Sequence, residues 1–503
     1  MSLWRKKSIT KLLSDAENST NGLKKTLSAP SLVALGIGAI IGAGLFVRTA
    51  AAAGEHAGNA VTLSFIVAAV GCLFAGLCYA EFASMIPIAG SAYTYAYTTM
   101  GELVAWIIGW ALVLEYALGA ATVSIAWSEY LNNLLGGSIP YEWCHSPLET
   151  SATGVHGYLN APALLILAIL SLLLIRGTSE SAKVNAVIVF VKVGIVLLFI
   201  GIGWKFINPA NHTPYLIPAN HPPVDLGAGK VYDYSPAVNH GWIGVLRGAA
   251  VVFFAFIGFD AVSTAAQETK NPKRDMPIGI LGSLAICTVL YILFSHVLTG
   301  VAPYTDFVKA GKEASVTYAI QHYMAGFSWL GTLISVAILA GFSSVILVML
   351  LGQSRVFYSM SNDGLLPKAF SDLHPKYRTP YKANLILFVF VGLFAAFVPG
   401  SVAGDLTSIG TLLAFVLVCL GIMIMRVKDP SRPRPFRTPL VPIVPILGIG
   451  VCTAMIVTLD NTTLLTAFGW MIGGLFIYFL YSRSHSNLHT HHLDEIPPPK
   501  ENI

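Results

Sequence analysis

The chain has 503 residues, of which 55% are hydrophobic and only 11% charged, with a mean hydropathy of +0.69 and a formal net charge of +5. Soluble domains usually carry about 25% charged residues, so a soluble globular surface is excluded. Long, continuously apolar runs also exclude a β-barrel, whose strands alternate in polarity, and loop lysines and arginines account for the positive charge without a nucleic-acid partner.

Met1 to Leu27 is polar and carries Arg5, Lys6, Lys7, Lys11, Lys24 and Lys25. It lacks an apolar core followed by a small-residue cleavage site, so it reads as a juxtamembrane segment rather than a signal peptide. A bilayer span needs roughly 20 mostly apolar residues. Runs of that kind predict spans over 29–53, 60–88, 100–133, 160–176, 180–206, 242–268, 276–302, 324–360, 382–398, 405–427, 438–458 and 461–482. The predicted class is an all-α polytopic membrane protein with both termini on one side.

The first span contains Gly36, Gly38, Gly42 and Gly44 in the run Gly36-Ile37-Gly38-Ala39-Ile40-Ile41-Gly42-Ala43-Gly44-Leu45-Phe46. Each glycine inside a helix costs roughly 1 kcal/mol relative to Ala. Gly38 and Gly42 satisfy a GxxxG packing pair, but packing alone does not call for Gly44, and local unwinding does. In the third span Glu115 lies within Leu112-Val113-Leu114-Glu115-Tyr116, as a structural partner or a substrate contact. The fifth span buries Lys192 between Val187-Ile188-Val189-Phe190-Val191 and Val193-Gly194-Ile195-Val196, too far from either end to snorkel comfortably. Charges at such depth cost at least about 2.5–3.5 kcal/mol on insertion scales and need a functional reason. For Lys192 that reason is proton acceptance or a fixed internal cation in place of a metal ion.

Asn208 to His240 forms a long outer loop rich in Pro, Asn and His, in which Asn211-His212-Thr213 matches a glycosylation sequon. The sixth span contains the run Gly248 to Asp260, interrupted at Gly258, which an acid follows two residues later at membrane depth. Asp260 either caps the broken helix or contacts substrate. Spans one and six correspond if the first ten spans are two five-helix repeats, and paired glycine-interrupted spans point to a transporter's binding site. An unwound helix offers N–H groups to a carboxylate and free carbonyls to an ammonium, which suits a zwitterion. Tyr291 in the seventh span offers a hydroxyl to the same interior.

Charge then orients the chain. With the amino terminus inside, Arg176, Lys183, Lys270, Lys273, Arg274, Arg355, Lys368, Lys376, Arg378 and Lys382 fall in inner loops, as do Arg426, Lys428, Arg432, Arg434 and Arg437. Arg48, Lys205, Lys230, Arg247, Lys309 and Lys312 fall outside. The positive-inside rule makes both termini cytoplasmic. The expected organisation is a cytoplasmic segment (1–28), a first five-helix repeat (29–206), an extracytoplasmic loop (207–241), a second repeat (242–427), two further helices (428–482) and a cytoplasmic tail (483–503) with His485, His489, His491 and His492. Five cysteines lie in apolar runs and Cys144 in a loop, with no CxxC pair, so neither a metal cluster nor a disulfide framework is expected.

Five stretches together resemble the amino acid–polyamine–organocation superfamily, specifically the bacterial members of its cationic amino acid transporter branch. They are Gly38 to Phe46, Phe253 to Asp260, Glu268-Thr269-Lys270-Asn271-Pro272-Lys273-Arg274-Asp275, Gly352-Gln353-Ser354-Arg355-Val356-Phe357, and Ser408-Ile409-Gly410-Thr411-Leu412-Leu413-Ala414-Phe415. The resemblance implies a five-plus-five inverted repeat with broken helices one and six, and alternating access. It puts a substrate carboxylate on the amides around Ile41, Gly42, Ala43 and Gly44. The amine falls to the carbonyls of Ile40, Phe254, Ala255 and Ile257. Lys192 matches a lysine that takes the sodium position in proton-coupled relatives, and Ser343 and Ser344 match positions lining the same site. Some relatives place Thr where this chain has Ala43, which removes one hydroxyl contact.

These readings converge on proton-driven import of cationic or broad-range L-amino acids across a bacterial inner membrane. Exchange, sodium coupling to neutral amino acids, and a non-transporting receptor are the alternatives. An enzyme is not expected, since no metal motif, nucleophile–base pair or nucleotide loop is present. No cofactor beyond the driving ion is expected. The bilayer and an amino acid are the expected partners; oligomeric state and a small single-span accessory subunit are left open by the sequence.

Overall fold

A computed structural model describes residues 5–9, 12, 27–88, 90–151, 154–176, 181–227, 230–309, 315–377 and 379–487. Most of the amino-terminal segment, and His489, His491 and His492 of the tail, lie outside the described residues.

Long apolar sequences become helices because in lipid every backbone group must find its partner within the segment. Twelve spans form. Span 1 is Ala29–Ile40 continued by Gly44–Arg48, Thr49–Ala52 and Ala53–Ala57; span 2 is Val61–Met85. Span 3 runs through Glu102–Val113, Leu114–Leu118 and Gly119–Leu134, span 4 is Ala161–Arg176 and span 5 is Ser181–Gly203. Span 6 comprises Gly241–Val252, Phe253–Phe256 and Asp260–Glu268; spans 7 and 8 are Pro272–Val301 and Ser328–Asn362. Spans 9, 10 and 11 are Tyr381–Phe397, Gly400–Lys428 and Ile443–Val457, and span 12 is Asn461–Ile477 extended by Tyr478–Ser482. Eight helices among the described residues are long and apolar enough to cross a membrane unaided. Ala29–Ile40, Ala161–Arg176, Tyr381–Phe397 and Ile443–Val457 are shorter.

The packing repeats itself between the halves. Spans 2 and 7, 3 and 8, and 4 and 9 pair directly. Span 1 packs on spans 5 and 7, as span 6 packs on spans 10 and 2. Span 5 packs on 7 and 8, as span 10 packs on 2 and 3. Each contact therefore has a counterpart displaced by five helices. Because five is odd, equivalent helices cross in opposite directions, and the repeat is inverted. Span 12 docks outside this pair of repeats: Trp106 Nε1 donates to Gly474 O at 2.9 Å, and Trp110 stacks on Trp470 with centroids 4.6 Å apart.

The faces differ. On the terminus side, helix Ser91–Thr99 lies between spans 2 and 3. On the other side, the loop before span 6 forms the hairpin Val224–Gly227 with Lys230–Tyr232.

Candidate functional site at the two helix breaks

The first span ends as a helix at Ile40, and Ile41 turns extended at φ −72° and ψ 104°. Helix resumes at Gly44. A new helical start leaves its first N–H groups without intrahelical acceptors, here at Gly42, Ala43 and Gly44. In span 6, Ile257 is extended at ψ 135° and Gly258 adopts φ +111° before Asp260–Glu268 begins. Both predicted interruptions exist.

The breaks also touch. A Cβ on Gly44 would lie 2.2 Å from Ala255 Cα, and one on Gly258 would lie 2.9 Å from Ala39 O. Gly44 is helical, so the expectation that it marks unwinding is corrected. It is the close approach of span 6 that requires glycine there, and the unwinding is confined to Ile41 and Gly42, Ala43 already having helical dihedrals. Gly258 is needed twice over, for its positive φ and for the backbone it meets.

Two side chains hold the break carbonyls. Tyr291 Oη points its hydroxyl at Ile40 O (3.0 Å) and Ala255 O (2.9 Å), bridging spans 1 and 6. Lys192 Nζ donates to Gly38 O at 2.9 Å and Ile41 O at 3.0 Å, and the residue is only 2% exposed. It does not snorkel. Gly341 of span 8 makes room, since a Cβ there would meet Lys192 Cε at 2.9 Å. Ser343 and Ser344 spend their hydroxyls on Leu339 O and Gly341 O of their own helix, both at 2.9 Å. They neighbour the lysine through Gly341 without bonding to it.

Glu115 and Asp260 meet each other rather than standing apart. Both are fully buried and their carboxyls are close enough to interact. Asp260 Oδ2 accepts from Tyr116 Oη at 2.8 Å. Phe254, Ala255 and Ile257 are at most 4% exposed. A cavity beside the first break, lined by Ala43, Val47, Arg48, Thr122 and Ser401 among others, has a volume of about 20 Å³. That is room for about one water, so this cavity cannot hold an amino acid in this conformation.

One buried charged cluster escaped the sequence reading. Arg48 and Arg247, counted there as outer-loop charges, are buried and both pair with Asp405 at the start of span 10, Arg247 at 3.2 Å. Arg247 also reaches Asp460 at 3.5 Å. The halves of both broken spans that lie away from the terminus side are thus fastened to span 10. An acid at position 405, just inside an apolar span and opposite two arginines on the broken helices, was the available signal.

The amino acid permease family matches residues 27–480. The chain is 43% identical over 492 residues to a protein named branched-chain amino acid permease from Bacillus subtilis, covering 97% of this chain and 99% of that one. It is 39% identical, over the same shares, to a protein of that organism named methylthioribose transporter. It is also 33% identical to a vacuolar cationic amino acid transporter of Arabidopsis thaliana, over 86% of this chain and 68% of that one. With its paired broken helices and its match along nearly the whole length, the chain belongs to the amino acid permease family of the amino acid–polyamine–organocation superfamily.

Proposed function

We propose that the protein is a proton-driven importer of L-amino acids of broad range, neutral aliphatic ones included, working by alternating access in a bacterial inner membrane with both termini cytoplasmic. The observation that carries the coupling is Lys192, an ammonium seated on the carbonyls of Gly38 and Ile41 at the first break. A neutral amine would hold these carbonyls less firmly, because hydrogen bonds from charged donors are roughly twice as strong. Protonation of Lys192 therefore stabilises the break, and proton release loosens it. A fixed ammonium there also occupies space that a sodium ion would need.

The substrate's carboxylate falls to the amides at Gly42, Ala43 and Gly44 and its amine to carbonyls of Ile40, Phe254, Ala255 and Ile257. Tyr291 holds two of these carbonyls in the closed conformation, so its hydroxyl yields as substrate arrives. Neutral side chains are favoured because Glu115 and Asp260 are engaged with one another and Ile40, Phe254 and Ile257 offer apolar surface. The name of the Bacillus branched-chain permease points the same way. The cationic range stays in the proposal through Glu115, and the plant relative's name supports it.

Uptake by purified protein in liposomes tests the reading. An inward pH gradient is expected to drive accumulation of labelled leucine, and Lys192→Ala is expected to reduce it at least about tenfold, roughly 1.4 kcal/mol of coupling. Accumulation that follows a sodium gradient and ignores pH would contradict it. Glu115→Gln with unchanged arginine uptake would remove Glu115 from side-chain selection.

A further inference from the structure

A second buried ionisable centre lies away from Lys192. Glu115 on span 3 and Asp260 at the start of the terminus-side half of span 6 are both 0% exposed and face one another. Three of their four carboxyl oxygens, both of Glu115 and Oδ1 of Asp260, have no hydrogen-bond partner among the described residues. The remaining one, Asp260 Oδ2, takes the Tyr116 hydroxyl. No lysine, arginine or histidine forms an ion pair with either acid among the described residues. The ionisable groups that face them are phenols: Tyr79 of span 2, Tyr95 of the helix between spans 2 and 3, and Tyr116 of span 3. Span 10 adds Thr411 beside Glu115 and Cys419 beside Tyr79. Span 8 packs Gly352 on the Tyr116 ring, and its neighbour Gln353 is buried with both amide atoms unpartnered.

Two adjacent carboxylates in a dry interior with no counter-cation cannot both ionise, and the usual resolution is one proton between them. We propose that Glu115 and Asp260 bind a single shared proton, forming a protonation site distinct from Lys192 that fastens the terminus-side half of span 6 to span 3. The shared proton gives the orphaned oxygens a partner. It joins a helix of the packed core to one that must swing for the site to open on that face. When the proton leaves toward that side, two like charges face each other and the half-helix is pushed away. In its consequence for transport this rests on the proton-driven reading above; the protonation itself does not.

Infrared difference spectroscopy on the full-length protein in lipid tests the site without transport. At neutral pH, a protonated-carboxyl C=O stretch that shifts in D2O is expected. It should move or vanish in Glu115→Gln and in Asp260→Asn, be absent when both are changed, and persist in Lys192→Ala. No such band in the unmodified protein, or its survival in the double variant, overturns the proposal. A band lost in one single variant and unmoved in the other puts the proton on one carboxyl alone and overturns the sharing. Should an acid variant fail to fold, Tyr116→Phe keeps both carboxyls, and sharing predicts a displaced band while an unmoved one counts against it. For the fastening, Ser263→Cys on the same half-helix, where Ser263 now donates to Ser91 Oγ at 2.9 Å, reports opening by maleimide labelling. Normalised to the labelling of the same cysteine in unfolded protein at each pH, which removes the thiolate's own titration, labelling should rise with pH and lose that dependence when Glu115→Gln is added; a normalised dependence that survives the addition contradicts the fastening. If uptake proved sodium-driven while the band behaved as expected, the coupling assignment would fail and the site would stand.

Discussion

Lys192 and Tyr291 show what a single side chain can do inside a membrane. Each takes two carbonyls that a broken helix leaves without internal donors, and each ties the break to a neighbouring span. Tyr291→Phe removes the donor for Ile40 O and Ala255 O and is expected to cost about 1–3 kcal/mol, the penalty of stranding buried acceptors. Thermal unfolding in detergent checks this, and an unchanged midpoint would show that the bridge is not structural. Gly44→Ala places a methyl against Ala255 Cα, and overpacking of this kind costs about 1–3 kcal/mol; here the obstacle is backbone and cannot rotate aside. The depth of Lys192 was legible in the sequence because ten flanking residues are apolar. The role of Gly44 was misread because a run of glycines does not reveal which of them faces a second backbone. The mutual engagement of Glu115 and Asp260 was equally hidden, since it joins spans 3 and 6 across 145 positions of chain.

The broken spans themselves were readable, because glycine and an acid interrupt otherwise continuous apolar runs. The loops on the face away from the termini were not, since their order depends on side-chain pairing. In the loop after span 3, His145 Nε2 contacts Glu129 Oε1 at 2.9 Å while its ring stacks on Tyr141 with centroids 3.7 Å apart. Burial alone would disfavour the charged ring, but the hydrogen bond and charge of Glu129 prevail and raise its pKa to about 9. A raised histidine contributes stability that is complete below its unfolded value, about 6.5, and disappears as pH climbs through about 9. Limited proteolysis should therefore cut residues 135–160 faster at pH 10 than at pH 7. The difference should shrink in His145→Gln; equal cutting at both pH values in the unmodified protein would refute the pairing.

At the scale of the molecule, ion pairs set the two faces apart. Asp405 pairs with Arg48 and Arg247 where the halves of spans 1 and 6 away from the terminus side meet span 10. On the terminus side, Asp363 at the end of span 8 binds Lys7 and accepts from Tyr93 Oη at 2.6 Å. Glu102 accepts from Tyr97 at 2.9 Å and Tyr478 at 3.0 Å and takes Ser486 from the carboxyl-terminal segment at 2.5 Å. Lys7 near one end of the described chain and Ser486 near the other are thus each held by a buried acid on this face. Asp405→Ala strands two buried guanidinium groups, a loss expected at about 3–5 kcal/mol and measurable as a lower unfolding midpoint; Asp460 still supports Arg247 and limits the damage. The twelve spans and the relation between breaks could be read from hydropathy and glycine placement. These clasps could not, because Lys7 and Asp363 are 356 positions apart and nothing local announces the contact.

The central claim is that the two breaks recognise the amino acid's own carboxylate and ammonium. Competition against labelled leucine uptake in proteoliposomes, using leucine methyl ester and the des-amino acid analogue at matched concentrations, tests it directly. Both analogues should compete at least about tenfold more weakly than leucine, since each leaves buried polar groups of a break unpaired. Equal competition by either would show that recognition lies elsewhere.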